Sequence, residues 1–253
     1  WMMGKMERLV VGCCGWGGLN PKDFGIEGWK EKFPSKLALY SALFPCVEVN
    51  QTFYRLPQLR TAERWLEEAR SVREDFEFTL KVPQTITHKD KFRTEASLEA
   101  YKSTLEVAKA LDAKILLFQT PKSLRDDSLP DMERFFSRIE RKGLTLVLEP
   151  RGLSKENALS LCERLGLIFC FDPFAQRPED LPGDLLYVRL HGSPPGERMY
   201  RYEYKPEDLK WLGEVLPELS RGRRACYCLF NNIPMHRSAR LFMEMMGLWR
   251  PLL

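Results

Sequence analysis

Short β-rich runs return eight times along this chain, and stretches of helical periodicity separate almost all of them. The runs are Leu9–Gly15, Cys46–Thr52, Glu77–Val82, Ile115–Thr120, Thr145–Arg151, Leu167–Asp172, Leu185–His191 and Ala225–Asn231. Helical spacing marks Lys36–Phe44, Leu59–Ser71, Ser97–Leu111, Asp131–Lys142, Ser154–Leu165, Pro206–Leu219 and His236–Met246. In the second of these Ala62, Trp65, Leu66 and Ala69 share a face; in the third Ser97 is the expected cap, ahead of Leu98, Tyr101, Leu105 and Ala108. Strands that alternate with helices pair in parallel, and eight such units close into a (β/α)8 barrel. The expected fold is therefore α/β, a single TIM-type barrel domain over residues 1–253. Pro173, Pro178 and Pro182 interrupt the segment before the seventh run, so the sixth helix is expected to be missing or very short.

Strand side chains alternate between two faces. One parity is apolar throughout: Val47 and Val49, Phe78 and Leu80, Leu116 and Phe118, Leu146 and Leu148, Leu186, Val188 and Leu190, Cys228 and Phe230. It fits the outer surface that meets the helices. The other parity turns polar toward each C-terminal end: Glu48 and Asn50, Thr79 and Lys81, Gln119, Glu149 and Arg151, Asp172, Tyr187 with Arg189 and His191, then Asn231. Sites in this fold lie at the C-terminal face, on strand ends and the loops after them. Trp16, Tyr54 and His88 fall in loops that reach the same face.

Composition removes several classes. A net charge of +4, from 39 basic and 35 acidic residues, accommodates an anionic ligand but is far from a nucleic-acid binder's excess. Seven cysteines, an odd number, argue against a disulfide framework; no Cys-x-x-Cys pair suggests a zinc ribbon, and neighbouring Cys13 and Cys14 point to opposite faces of a strand. Lys5, Glu7 and Arg8 precede any apolar run, unlike a signal peptide, and no run approaches the roughly 20 apolar residues that span a bilayer. The expected location is the cytoplasm, with no membrane partner. Nothing indicates an oligomeric state.

The inward polar set supports two accounts. Glu48, Glu149 and Asp172 balance Lys81, Arg151 and Arg189, which would serve as a buried ionic network closing the barrel. Such networks add little net stability, so a ring of this size with His191 beside it favours ligand binding. Arg151 and Arg189 suit a carboxylate or phosphate, and Lys81 adds a point charge. The loops His191–Arg198 and Asn231–Met235 offer small residues and a helix start of the kind that holds phosphate in barrels. No cofactor is expected. A divalent ion shared by Glu48, Glu149, Asp172 and His191 is the alternative, opposed by the three inward cations.

These residues resemble the YecE-like family, known as domain of unknown function 72. The resemblance rests on Gly12-Cys13-Cys14-Gly15-Trp16; on Val47 through Pro57, similar to the family's Val-Glu-x-Asn-x-Thr-Phe-Tyr-x-x-Pro; and on Phe78-x-x-Lys81 with Ile86-Thr87-His88. Leu148-Glu149-x-Arg151, Tyr187 through Gly192, and Phe230-Asn231-Asn232 complete it. The chain departs from the family where Cys13-Cys14 replaces Thr-Ser and Gly152-Leu153-Ser154 follows Arg151. The resemblance implies a TIM-type barrel and site positions, with no reaction attached.

The preferred functional reading is an enzyme for a small anionic or phosphorylated substrate, weakly of hydrolase or phosphodiesterase type. Glu48 or Glu149 would act as base and His191 as acid. The binding groups would be Asn50, Tyr54, Lys81, His88, Gln119, Arg151, Asp172, Arg189, Asn231 and Trp16. The alternatives are a divalent-metal-dependent phosphodiesterase or nuclease, and a non-catalytic module that binds nucleic acid or a protein partner through the basic-aromatic rim.

Overall fold

A computed structural model describes residues 8–192 and 199–253. All eight expected strands form: β1 (Leu9–Cys13), β2 (Cys46–Val49), β3 (Glu77–Lys81), β4 (Ile115–Gln119), β5 (Thr145–Glu149), β6 (Ile168–Phe171), β7 (Leu185–Leu190) and β8 (Ala225–Phe230). They pair in sequence order, every pair parallel, and β8 returns to β1 to close the barrel. The crossovers carry α1 (Trp29–Lys32), a single turn, then α2 (Lys36–Leu43), α3 (Leu59–Arg70), α4 (Glu95–Ala110), α5 (Leu129–Arg138) and α6 (Lys155–Leu165). After β7 comes α7 (Pro206–Leu219) and after β8 comes α8 (Met235–Met245). No helix stands between β6 and β7, as the prolines there require.

Two helices depart from their expected bounds by more than one residue. Helix α4 begins earlier because Thr94, not Ser97, is the cap: the Thr94 hydroxyl accepts the Ser97 N–H. Helix α5 starts at Leu129 and stops at Arg138, where Ile139 is extended, well short of Lys142.

The parity of the strands sorts the core into two bodies. Val47, Val49, Phe78, Leu80, Leu116, Phe118, Leu146 and Leu148 join the helices in the outer cluster. Cys14, Cys46, Ile115, Leu117, Val147, Cys170, Tyr187 and Leu229 form the second cluster, inside the barrel. Glycine at position 12 is obligatory on steric grounds, since a Cβ there would lie 2.3 Å from the Cys46 carbonyl oxygen where β1 and β2 meet. Arg8, Glu77 and Tyr227 close the N-terminal end with mutual hydrogen bonds. Among the described residues no helix is long and apolar enough to cross a membrane.

Candidate functional site

The inward polar parity comes together at the C-terminal end of the barrel. Arg189, at the end of β7, is 0% exposed. Its Nε lies 3.1 and 3.2 Å from the two oxygens of Glu48, and its Nη2 donates to Glu48 Oε1 at 2.8 Å. The same guanidinium donates through Nη1 to Glu149 Oε2 at 2.6 Å. This one fork thus joins β2, β5 and β7 across the barrel. Tyr187 adds a donor to Glu48 at 2.7 Å and sits 2.9 Å from the Thr79 hydroxyl.

Glu149 is the hub. Its Oε1 accepts from Arg151 Nε at 2.9 Å and lies 2.9 Å from His191 Nε2. Burial by itself would raise this carboxyl, but Arg189, His191 and Arg151 override it and hold the group well below the usual carboxylate range. Nδ1 of His191 is 3.2 Å from Asn231 Nδ2, and its Nε2 also lies 3.2 Å from Arg151 Nη2. Asp172 accepts the backbone N–H groups of His191 and Phe174, each at 2.9 Å, while burial pushes its carboxyl up. It fixes the turn after β7 and leaves the ring's ion pairs to its neighbours.

Arg151 stands at the opening. Its side chain is 19% exposed, and Nη1 donates to the Tyr200 hydroxyl at 2.8 Å. With Nε on Glu149, N–H groups remain on both terminal nitrogens. Tyr200 holds this post in a left-handed backbone, φ 70°, with its N–H on the His191 carbonyl. A non-glycine residue in that region costs of order 1 kcal/mol or more and clusters at functional sites.

Lys81 differs from every other charged member of the ring. It is 7% exposed, yet among the described residues its ammonium has no carboxylate within 4.0 Å and makes no hydrogen bond. The nitrogen lies 3.9 Å from the centre of the Phe53 ring. Burial, then the charge of Arg189, lowers its pKa to about 8 against the pull of Glu48 and Glu149. His88 meets the same Phe53 edge-on at 4.8 Å, and its Nδ1 is 2.7 Å from the Thr87 hydroxyl. Burial and the charges of Lys81 and Arg151 lower His88 to about 4, so it is neutral at physiological pH. Its segment is a π turn, Thr85–Lys89, followed by Lys91 and Phe92 in the left-handed region at φ 49° and 65°. Phe92 is buried against Phe118, Phe135 and Phe136, which anchors this strained loop over the mouth.

The other expected residues divide. Asn50 ends β2 with a buried Oδ1 that has no donor, and Gln119 is buried at the end of β4. Tyr54 is on the rim, 73% exposed, edge-on to Phe53. Trp16 packs against Trp65 of α3 at 5.2 Å, at the flank of the mouth. His236, at the start of α8, is consumed by the Gly15 carbonyl at 3.0 Å between Tyr40 and Phe44. Residues 193–198 of the seventh loop, expected to cradle a phosphate, lie outside the described residues. Glu48 is fully enclosed with both oxygens engaged, and Arg189 is equally enclosed with its guanidinium on two carboxylates.

The set expected for a divalent ion does not fit one as it stands. Among the described residues no three His, Cys, Asp or Glu groups converge to hold a metal. Glu48 and Glu149 are neutralised by Arg189 together with Arg151, and Asp172 is turned to backbone. The cysteines are all free and buried; burial raises the Cys13 and Cys14 thiols, which suits inert packing groups.

Residues 10–251 match the profile of a family described as protein of unknown function DUF72. The chain belongs to the DUF72 family. A DUF72 family protein from Enterococcus faecalis V583 has a TM-score of 0.73 at 15% identity, with 96% of each chain covered. Another, from Thermotoga maritima MSB8, has a TM-score of 0.68 at 25% identity over 95% of this chain and 99% of that one. Outside the family, D-psicose 3-epimerase in the presence of D-fructose is similar with a TM-score of 0.56, at 11% identity over 95% of this chain and 99% of that one. That likeness concerns the barrel alone. Comparison with curated proteins gave no match.

Phe53, Thr79, Tyr187 and Tyr200, outside the set expected to bind, also touch the ring. Tyr187 was legible as inward, since it shares parity with Arg189. Phe53 and Tyr200 were not, because loop aromatics carry no period that says which way they turn. A flank cavity of about 610 Å³ between α4 and the end of α5, lined by Tyr101, Glu106, Arg138 and Glu140, lies away from the ring.

Proposed function

We propose that this DUF72 protein is an enzyme acting on a small anionic or phosphorylated substrate held over the ring. One observation carries the reading: the ring leaves cationic N–H donors without a carboxylate partner at its mouth. Glu48 and Glu149 are paired with Arg189 and Arg151, whereas among the described residues Lys81 has no carboxylate within 4.0 Å and Arg151 keeps further N–H groups at the opening. A buried, unpaired cation is unfavourable, and an anionic ligand relieves it. Arg151, set by Glu149 and Tyr200, grips the anion; Lys81 draws it in; Asn50 supplies an acceptor. Glu149, His191 and Asn231 form the acid–base chain, with His191 the group that passes a proton. Arg189 and Glu48 hold that chain in place from below.

A thermal-shift series tests this, with inorganic phosphate, pyruvate, sugar phosphates and a single-stranded oligonucleotide, on the parent and on Arg151→Gln. At 100 times its dissociation constant a ligand adds about 2.7 kcal/mol of stability. The expected result is a shift with small anions that EDTA leaves intact and Arg151→Gln removes. A shift that depends on a divalent ion supports the metal-dependent phosphodiesterase reading instead. Oligonucleotide binding with a steep salt dependence, and none by small anions, supports the non-catalytic binder.

A further inference from the structure

We infer that Lys81 is a covalent nucleophile: its amine forms an imine with an aldehyde or ketone group of the bound substrate, so the substrate class is a small anionic carbonyl compound. The inference rests on the anion-binding reading above and changes the part Lys81 takes in it.

Among the ring's charged groups, geometry isolates this amine. Every nitrogen-bearing cation around it has oxygen partners, whereas Lys81 Nζ faces a Phe53 ring at 3.9 Å and no acceptor among the described residues. Burial with a neighbouring guanidinium is the setting that activates lysine amines, because both disfavour the ammonium form, here against the attraction of the Phe53 ring face. Burial is the largest influence on it, with Arg189 of β7 acting in the same direction; Glu48 of β2, Glu149 of β5 and Cys14 after β1 pull the other way, and the net direction favours proton loss. At a pKa of about 8 roughly one amine in ten is neutral at pH 7, against about one in three thousand for an ordinary lysine.

The residues around the amine suit the reaction. Asn50 follows the last β2–β3 pair, Val49 with Leu80, the latter one residue before Lys81, and the Asn50 Oδ1 is buried without a donor. That acceptor matches the N–H of a carbinolamine or protonated imine. Thr52 fixes the backbone by donating to the Lys81 carbonyl oxygen at 2.7 Å. Free N–H groups of Arg151 remain for the carboxylate or phosphate of the same molecule, and neutral His88, across Phe53, does not compete for it.

The step balances without a further reagent. The neutral amine adds to the carbonyl carbon, forming the C–N bond as the C–O π bond breaks. Nitrogen yields a proton and the oxygen gains one, giving a carbinolamine. That hydroxyl then takes up a second proton and leaves as water, so that amine, carbonyl and one proton become a protonated imine and water. The cation so formed withdraws electrons from the adjacent carbon, which is the purpose of such an intermediate.

Borohydride trapping tests the inference on the full chain, with pyruvate and dihydroxyacetone phosphate as probes. Reduction is expected to fix one saturable adduct, located by peptide mass mapping at Lys81, with a trapping rate that rises through a midpoint near pH 8. Lys81→Arg keeps the charge but cannot form the adduct, and is expected to lose it while remaining folded by circular dichroism. Adducts spread over exposed lysines with Lys81 unmodified, or undiminished trapping in Lys81→Arg, overturn the inference. The same probes run by thermal shift separate the two readings. A shift lost in Arg151→Gln but without trapping sinks the imine alone; neither shift nor trapping sinks both.

Discussion

Replacing Arg189 with Met tests the ring most directly, because that guanidinium is fully enclosed and serves two carboxylates at once. The substitution removes donors at 2.8, 3.1 and 3.2 Å from Glu48 and at 2.6 Å from Glu149. Glu48 then keeps only Tyr187 and the Cys14 thiol as neighbours able to donate. Breaking a buried pair by removing one partner costs about 3–5 kcal/mol. For a chain of this size that is a fall of about 6–20 °C in Tm. The pH dependence is the sharper signature. In the parent, Glu149 has a depressed folded-state pKa, so its contribution is present above the unfolded value near 4.3 and lost as pH falls through the lower folded value. In the variant Glu149 keeps Arg151 and His191, whereas Glu48 is an enclosed carboxylate without its cation, a charge that uptake of a proton relieves. The variant therefore gains stability relative to the parent as pH falls, by up to about 1.4 kcal/mol per unit, and the gap narrows. Urea denaturation of both proteins at pH 8 and pH 5 measures this. Adding Glu48→Gln to the variant is expected to recover at least about 1 kcal/mol at pH 8. A gap below about 1 kcal/mol at pH 8, or one that stays constant down to pH 5, refutes the claim that Arg189 neutralises the ring.

Tyr187→Phe removes the hydroxyl between Thr79 and Glu48 and is expected to cost about 1.5–3 kcal/mol in denaturant unfolding, since one of its bonds is to a charged group; a neutral result would show that Glu48 does not need it. His88 is expected to titrate near pH 4 by NMR, and stability to decline between pH 6.5 and 4 as the unfolded chain binds the proton first. Because Lys81 is among the causes, Lys81→Met should move that midpoint upward; an unchanged midpoint would separate the two residues. Gly12→Ala places a methyl 2.3 Å from a backbone oxygen and is expected to cost about 3 kcal/mol or prevent folding, whereas wild-type stability would mean the β1–β2 approach is looser than described.

Much of the barrel could be read from the sequence because its determinants are local. A period of two separates inward Glu48, Thr79 and Glu149 from outward Val49, Leu80 and Leu148, whatever the rest of the chain does. Prolines forbid a helix before β7, and a threonine three residues ahead of Ser97 caps α4 as well as a serine would. From these follow the number of units, their order and the end of the barrel at which polar groups gather. Parity could not say which charges neutralise each other. Arg189 lies 141 positions from Glu48 and 40 from Glu149, and it takes both; Lys81, equally inward and equally charged, is left beside Phe53 with neither. Pairing depends on side-chain length and direction across a closed barrel, and those distances exist only once β8 has met β1. The left-handed turn at Tyr200 and the π turn beneath His88 have the same origin, since packing against Arg151 and the outer aromatics holds backbone shapes that local preference alone would not choose.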